Sequence, residues 1–291
     1  MLTKNTSHLT QALIDLLQVR QLEDFIFQGQ CTQIFGSHLF GGQLLGQALI
    51  AASKTLTILC PAHSLHGYFL RSGVTTQPIL YRVTVLQEGK SFHRRQVDAI
   101  QNGEVIFTAM LSFAVPEDGL DYHIPAPNYP LPETLISEQE HKQHILKDVP
   151  STHQALFSQP FHLQVHPVHF SNPYTPEKRE CYAEYFKTHQ RITTASDEII
   201  LHQAIAAYHS DYNLLSISLL NHGLSYISKG IMSASLDHAM YFHHPLRADE
   251  WILYDLNSPT SNASRGLNYG QMWQNGKLVC STIQESLMRQ Y

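Results

Sequence analysis

The chain contains 291 residues, more than a single hydrophobic core usually holds, so its length favours two lobes. Hydrophobic residues make up 43% of the chain and charged residues 15%, a balance that excludes wholesale disorder. The formal net charge of -5 argues against a protein that binds nucleic acid regardless of its sequence, because such a protein needs a strongly basic face.

The pattern of cysteines and histidines predicts neither disulfides nor a metal or other cofactor. The four cysteines are far apart and form no C-x-x-C pair, which favours a reducing compartment. The 19 histidines include no H-E-x-x-H motif, and no pair of them stands beside acidic residues at a recognised ligand spacing. We therefore interpret them as surface and core side chains.

No segment predicts a membrane span or an address to another compartment. The longest apolar stretch, 105–115, is too short for a transmembrane helix. The first residues lack a basic start followed by an apolar block, and the last three, Arg-Gln-Tyr, are not a peroxisomal signal. A cytoplasmic location is expected.

Each half of the chain begins with a helical pattern and continues with strands. Residues 41–54 have apolar side chains at helical spacing, and Gly41 and Gly42 suit a tight entry into that helix. Alternation at 80–85 predicts a strand. Asn102-Gly103 and Asn275-Gly276 each predict a hairpin turn between two strands. One helix per half, wrapped by an antiparallel sheet, is the expected arrangement.

An internal repeat relates the two halves. Ile-Leu-Tyr at 79–81 recurs at 252–254, Gln-Asn-Gly at 101–103 recurs at 274–276 and Tyr-Phe at 68–69 recurs at 241–242, all at one constant offset. The helical segment 40–51 resembles 210–221 at a slightly smaller offset.

The segment between the halves differs from both of them. It is rich in proline and predicts irregular structure, with short helices around Pro150. The predicted organisation is an N-terminal domain at 1–115, a linker region at 116–178 and a C-terminal domain at 179–291.

Several stretches resemble the acyl-CoA thioesterase II family, and the resemblance runs from Gln11 to Arg289. The stretches are LFGGQLLGQAL (39–49), HSLHGYFLR (63–71), GKSFHRRQVDAIQNG (89–103), YHSDYNLL (208–215), SASLDHAMYFH (233–243), NASRG (262–266) and LVCSTIQESLMR (278–289). The resemblance implies an α+β double hotdog, in which each of two tandem domains wraps an antiparallel sheet around a central helix. It also implies an enzyme of fatty acid metabolism that hydrolyses fatty acyl-CoA to free fatty acid and CoA.

The resemblance places the catalytic groups in the C-terminal half. It assigns Asp211, Ser235 and Gln284 as the groups that hydrogen-bond one attacking water. The chain departs from the family pattern at Ser235, where members carry threonine; serine keeps the hydroxyl and loses the methyl group that restricts its rotamer.

The chemistry of a thioester fits these groups. Asp211 can act as a general base if partial burial raises its pKa. The backbone N–H groups of Gly41 and Gly42, at a helix start, are candidate donors to the carbonyl oxygen as it gains charge. Cations are expected near the CoA phosphates, and the candidates in matching stretches are Arg71, Arg95 and Arg265. A surface or fold-stabilising role for each arginine stays equally open.

The repeat indicates that only one half kept a working site. At the offset of the repeated tripeptides, Gln284 falls on Leu111 and Ser235 falls on Ala62. At the offset of the helical segments, Asp211 falls on Gly41. Three polar positions in the second half therefore correspond to apolar or glycine positions in the first.

Other interpretations remain beside this one. Asp211 alone suits a helix N-cap. A non-catalytic acyl-CoA-binding hotdog protein is the alternative from another class, whereas an enoyl-CoA hydratase would need histidine five residues after the aspartate, where Ser216 stands. A serine hydrolase lacks support because no G-x-S-x-G occurs.

A homodimer or higher homo-oligomer is expected, because hotdog sheets commonly pair.

Overall fold

The computed structural model describes residues 7–34, 36, 38–193 and 198–291. Six α-helices occur in these ranges: α1 Ser7–Leu17, α2 Gly41–Ser53, α3 Glu138–Ile145, α4 Ser151–Phe157, α5 Glu198–Ser210 and α6 Leu214–Leu220. The strands of the same ranges are β1 Val19–Glu23, β2 Ile26–Gly29, β3 Ala62–Phe69, β4 Ile79–Glu88, β5 Phe92–Gln101, β6 Glu104–Ala114, β7 Leu163–Pro167, β8 Cys181–Thr188, β9 Ile231–Ser235, β10 Asp237–Phe242, β11 Ile252–Asn262, β12 Arg265–Gln274 and β13 Lys277–Gln290.

All of these strands belong to one antiparallel sheet that runs through both halves. The first half contributes the order β1-β2-β4-β5-β6-β3, and the second half continues with β10-β13-β12-β11-β8-β7. The halves join where β3 pairs with β10, with His66 opposite Ala239. Each half therefore wraps its strands around helices in the hotdog manner, and the predicted α+β double hotdog is confirmed.

The internal repeat is visible in the strand boundaries. The offset of the repeated tripeptides superposes the bounds of β5 on those of β12 and the first residue of β4 on that of β11. The two predicted hairpin turns are also present: Asn102-Gly103 has φ values of 50° and 79°, and Asn275-Gly276 has 51° and 77°. Asparagine and glycine tolerate these left-handed conformations, so the local sequence sets both turns.

Helix α2 lies in the core and packs against α5 of the other half. All of its residues except Gly41 are buried. A Cβ on Gly42 would clash with the carbonyl oxygen of Tyr208, and one on Gly46 would come within 2.9 Å of that of Ala204. The glycines of this helix therefore permit close packing of two helices, in addition to the tight entry that the sequence suggested.

The second half differs from the expected single central helix. Its helical segment is split into α5 and α6 by residues 211–213, and Asn213 adopts a left-handed conformation with φ of 61°. The Asn213 amide donates to the buried carboxylate of Glu184 at 2.8 Å, and the Tyr212 hydroxyl donates to Glu138. Because these side chains find hydrogen-bond partners on α3 and β8, outside α5 and α6, the break at 211–213 is stable.

The region between the halves begins without regular structure, as its prolines predict, and then forms short elements. Residues 115–131 carry no helix or strand. A capping box of Ser137 and Glu140 begins α3, and Pro150 immediately precedes α4. Strand β7 pairs with β8 and so adds to the sheet of the second half. The predicted linker therefore includes one strand of that sheet, and the domain boundaries at 115 and 178 stay predictions.

Within 7–34, 36, 38–193 and 198–291, no helix is long and apolar enough to cross a membrane. No group of three or more His, Cys, Asp or Glu side chains in the same ranges is arranged to hold a metal ion.

Candidate active site

The structure brings together Asp211, Ser235 and Gln284. The Gln284 side-chain amide donates to Asp211 Oδ1 at 2.6 Å, and the Ser235 hydroxyl donates to the same oxygen at 3.2 Å. Asp211 lies in the break between α5 and α6, Ser235 ends β9 and Gln284 lies within β13. Three separate elements thus converge on one carboxylate.

A change of strand partner places Ser235 beside Gln284. Strand β13 pairs with β10 up to Ile283 and with β9 from Ser286 onward, where Ser286 is opposite Ser235. Leu236 separates β9 from β10, and its N–H donates to the carbonyl of Glu285. Because directly opposite residues share a face and Gln284 is two residues from Ser286, Ser235 lies on the inner face of the sheet, where Gln284 is fully buried.

Asp211 is not a helix N-cap. The N-cap position of α6 is Asn213, which makes no side-chain capping bond, while the Asp211 carboxylate faces Gln284 and Ser235. Burial raises the pKa of Asp211 to about 6, although hydrogen bonds from Gln284, Ser235 and the backbone of Gly42 work in the opposite direction. A carboxyl group with this pKa is ionised at neutral pH and is a stronger proton acceptor than an ordinary aspartate.

The start of α2 completes the cluster from the other half of the molecule. The backbone N–H of Gly42 donates to the Asp211 carboxylate. A Cβ on Gly41 would lie 2.5 Å from Asp211 Oδ2 and 2.8 Å from the ring of Phe69. Gly41 and Gly42 therefore both lie beside the site, as expected. The N–H of Gly42, however, donates to the Asp211 carboxylate, whereas the sequence suggested the substrate carbonyl oxygen as its partner.

A second row of hydrogen bonds lies behind Gln284. Its amide nitrogen also lies 3.1 Å from Nδ1 of His238, and Nε2 of His238 lies 2.8 Å from the hydroxyl of Ser210. The Ser210 hydroxyl donates to the carbonyl of Ala207 at 2.8 Å. Both His238 and Ser210 are buried, and burial lowers the pKa of His238 to about 3. The histidine is therefore neutral at physiological pH.

Sequence reasoning missed His238 and Ser210, although both lie in stretches that carried the family resemblance. The available signal was the repeat. At the offset of the repeated tripeptides, His238 falls on Leu65, which is fully buried in β3. A polar residue whose counterpart is a buried leucine is the same signal that supported the assignment of Gln284, whose counterpart Leu111 is also buried.

Arg95 is occupied within the fold. Its guanidinium is buried and donates to the side chain and backbone carbonyl of Thr55, to Glu88, and to the carbonyls of Gln87 and Arg94. A coenzyme A phosphate would have to displace these partners. The buried guanidinium and its internal partners favour a fold-stabilising role for Arg95, and its contact with a CoA phosphate stays a prediction.

The other two arginines lie at the surface and form ion pairs. Arg265 pairs with Glu285 at 2.8 Å, on the face of the sheet opposite to Gln284, because successive side chains of a strand alternate. Arg71 pairs with Glu104 at 3.1 Å and donates to the carbonyl of Val105, with about half of its side chain exposed. Arg71 and Arg265 are both about half exposed, so both keep the exposure that a phosphate contact requires, and their binding roles stay predictions.

The fold and the cluster together define a class of protein. A double hotdog in which one half supplies a carboxylate, an amide and a hydroxyl, and the other supplies a helix start, is a thioester hydrolase of the double hotdog type. The comparisons with known proteins agree. The family model for acyl-CoA thioesterase matches residues 152–287, and the model for the acyl-CoA thioesterase N-terminal domain matches residues 32–114. The chain belongs to the acyl-CoA thioesterase family.

Relatives from distant organisms match over nearly the whole chain. Acyl-coenzyme A thioesterase 8 of Homo sapiens is 34% identical, with 94% of this chain and 88% of the relative covered. Acyl-CoA thioesterase 2 of Haemophilus influenzae is 32% identical, with 97% and 99% covered. The crystal structure of an acyl-CoA thioesterase II, TesB2, from Mycobacterium marinum has a TM-score of 0.77 at 33% identity and covers 96% of this chain and 98% of its own.

Proposed function

We propose that this protein hydrolyses fatty acyl-CoA to free fatty acid and CoA, with Asp211 activating the attacking water. The observation that carries the proposal is the convergence of Gln284 and Ser235 on a partly buried carboxylate whose pKa is raised to about 6. The relatives, which are named for action on acyl-CoA, support the choice of substrate.

The proposed reaction needs no covalent enzyme intermediate. A water hydrogen-bonds to Asp211 Oδ2, while the side chains of Gln284 and Ser235 hold Oδ1 in place. As the water oxygen attacks the thioester carbon, Asp211 takes its proton, and a tetrahedral intermediate forms. The C–S bond then breaks, the CoA thiolate takes the proton from Asp211, and release of CoA and the fatty acid leaves Asp211 ionised again. The orientation of one water by fixed polar groups is the main catalytic contribution.

We assign the carbonyl oxygen of the substrate to the start of α2. The positive end of the helix dipole and the N–H of Gly41 face the region where negative charge develops. The N–H of Gly42 donates to Asp211 and keeps the carboxylate beside that helix start. In this arrangement both halves of the molecule contribute to a single site.

Thiol release from palmitoyl-CoA tests the activity. The intact protein should release CoA in proportion to its concentration, and Asp211→Asn should bind the same substrate while releasing CoA far more slowly. Binding of palmitoyl-CoA by the intact protein without release of free thiol would identify a non-catalytic acyl-CoA-binding protein instead.

We further propose that the protein forms a homodimer through the outer face of its sheet. Met110, His66, Ala239, Ile283 and Tyr269 lie opposite one another in register across five neighbouring strands. The side chains of Met110, Ile283 and Tyr269 are exposed by 59%, 39% and 37%. A largely apolar row of this kind is unusual on a monomer surface. Light scattering should give the mass of a dimer for the intact protein and of a monomer for Met110→Asp; an intact protein that is monomeric would refute the proposal.

We also propose a cytoplasmic location, in fatty acid metabolism. The four cysteines, Cys31, Cys60, Cys181 and Cys280, are all free thiols, as a reducing compartment favours. Fractionation of cells that produce the tagged protein tests the location, and recovery in another compartment would contradict it.

A further inference from the structure

We propose that His238 is a positioning residue which, together with Ser210, fixes the orientation of the Gln284 amide toward Asp211. The inference rests on the proposed function, because it concerns how the catalytic amide is held. It assigns a role to two buried polar side chains that the proposed reaction does not otherwise use.

The hydrogen-bond row determines where each proton lies. The Ser210 hydroxyl gives its only proton to the Ala207 carbonyl, so the contact between Ser210 and His238 needs a proton on Nε2 of the histidine. Nδ1 of the neutral ring is then an acceptor, and it faces the amide nitrogen of Gln284 at 3.1 Å. The two amide protons of Gln284 are therefore directed to His238 and to Asp211.

This arrangement excludes the flipped amide. If the Gln284 oxygen and nitrogen exchanged places, the oxygen would face both the Asp211 carboxylate and the lone pair on Nδ1 of His238. Two repulsive contacts in a buried site would replace two hydrogen bonds, and each is costly where water cannot compensate. The Ser286 hydroxyl donates to the Gln284 oxygen at 3.4 Å, but a hydroxyl accepts as readily as it donates and so tolerates either orientation. Without His238 the amide would lose one of the two contacts that select its orientation.

The fold itself does not require a histidine at this position. The counterpart of His238 in the first half is Leu65, which is also fully buried and lies at the equivalent point of the strand pairing between β3 and β10. A leucine satisfies the packing there without the cost of burying a polar ring. The counterpart of Gln284 is Leu111, so the polar pair occurs together in one half and is replaced together in the other.

Two substitutions of His238 separate positioning from packing. In His238→Asn the side-chain oxygen occupies the place of Nδ1 and accepts from Gln284. In His238→Gln the amide reaches the place of Nε2 and keeps the contact with Ser210, but it leaves Gln284 without an acceptor. In His238→Gln we expect kcat for palmitoyl-CoA to fall about tenfold, with KM nearly unchanged. In His238→Asn we expect kcat to stay close to that of the intact protein. Equal losses of kcat in two variants with equal melting temperatures would overturn the inference.

A double-mutant cycle with Gln284→Ala completes the test. If His238 acts through Gln284, His238→Gln should lower kcat much less in the Gln284→Ala background than in the intact protein. If the two losses of kcat simply multiply in the double variant, His238 does not act through Gln284, and the inference is overturned while the proposed function stands. Full activity of Gln284→Ala would instead remove Gln284 from the proposed reaction, so the two failures are distinguishable.

Discussion

Removal of the Gln284 amide should shift the pH dependence of the reaction. The amide nitrogen lies 2.6 Å from Asp211 Oδ1 and stabilises the ionised carboxylate. A hydrogen bond to a charged group contributes about 1.5 to 3 kcal/mol, and one pKa unit corresponds to about 1.4 kcal/mol. Loss of this bond in Gln284→Ala should therefore raise the pKa of Asp211 by about one to two units, above its value of about 6 in the intact protein.

The direction of the shift follows from the role of a base. Asp211 accepts a proton only when it is ionised, so the rate is constant above its pKa and falls about tenfold for each pH unit below it. For the intact protein, kcat/KM should decline below about pH 6. For Gln284→Ala the decline should begin about one to two units higher. The plateau should be lower by about a hundredfold because the water is poorly oriented.

The assay is the loss of thioester absorbance with palmitoyl-CoA, followed across the neutral and mildly acidic range. Gln271→Ala is a matched control, since it makes the same change on β12, whose residue 271 lies on the outer face of the sheet. Both variants should be checked for folding by thermal melting. If the plateau falls in Gln284→Ala while the decline stays at its original pH, Asp211 is not the titrating base.

Four further substitutions test individual contacts. Asp211→Asn should lower kcat by about 10² to 10⁴, with KM little changed; an active variant would show that another group takes the proton. Ser235→Thr should retain activity, because the hydroxyl that donates to Asp211 at 3.2 Å is kept, and a large loss of kcat would mean that the serine is placed differently. Gly41→Ala should lower kcat with a small change in melting temperature, because the new Cβ would lie 2.5 Å from Asp211 Oδ2; unchanged kcat would show that the carboxylate can move freely. Arg95→Ala should lower the free energy of unfolding by about 2 kcal/mol, measured by denaturant titration, and leave kcat unchanged in the folded protein; a raised KM for acyl-CoA would restore a role in substrate binding.

The sequence alone determined the repeating architecture. The internal repeat, the Asn-Gly turns and the alternation of strand residues are local or periodic signals, and each acts over a short stretch through backbone preference or side-chain period. The family resemblance assigned the polar positions Gln284 and Ser235, and the repeat supported them because their counterparts are apolar. These signals can be detected in the sequence without the structure because they depend on interactions between residues that are close along the chain.

The side-chain partners were decided only by the tertiary structure. The break between α5 and α6 depends on Glu184, which lies far from Asn213 along the chain, and the sequence pattern instead predicted one central helix. The burial of Arg95 depends likewise on Thr55 and Glu88, which come from a helix end and another strand.

The protonation state of the active site shows most clearly which properties depend on the tertiary structure and not on the local sequence. The sequence places Asp211 next to Ser210, but the pKa of Asp211 depends on how much water its carboxylate loses and on which donors reach it from β9, β13 and α2. The orientation of Gln284 depends in the same way on His238, which belongs to a different strand. Sequence periodicity fixes which face of a strand a side chain occupies, whereas desolvation and hydrogen bonding depend on what the opposite elements bring to that face.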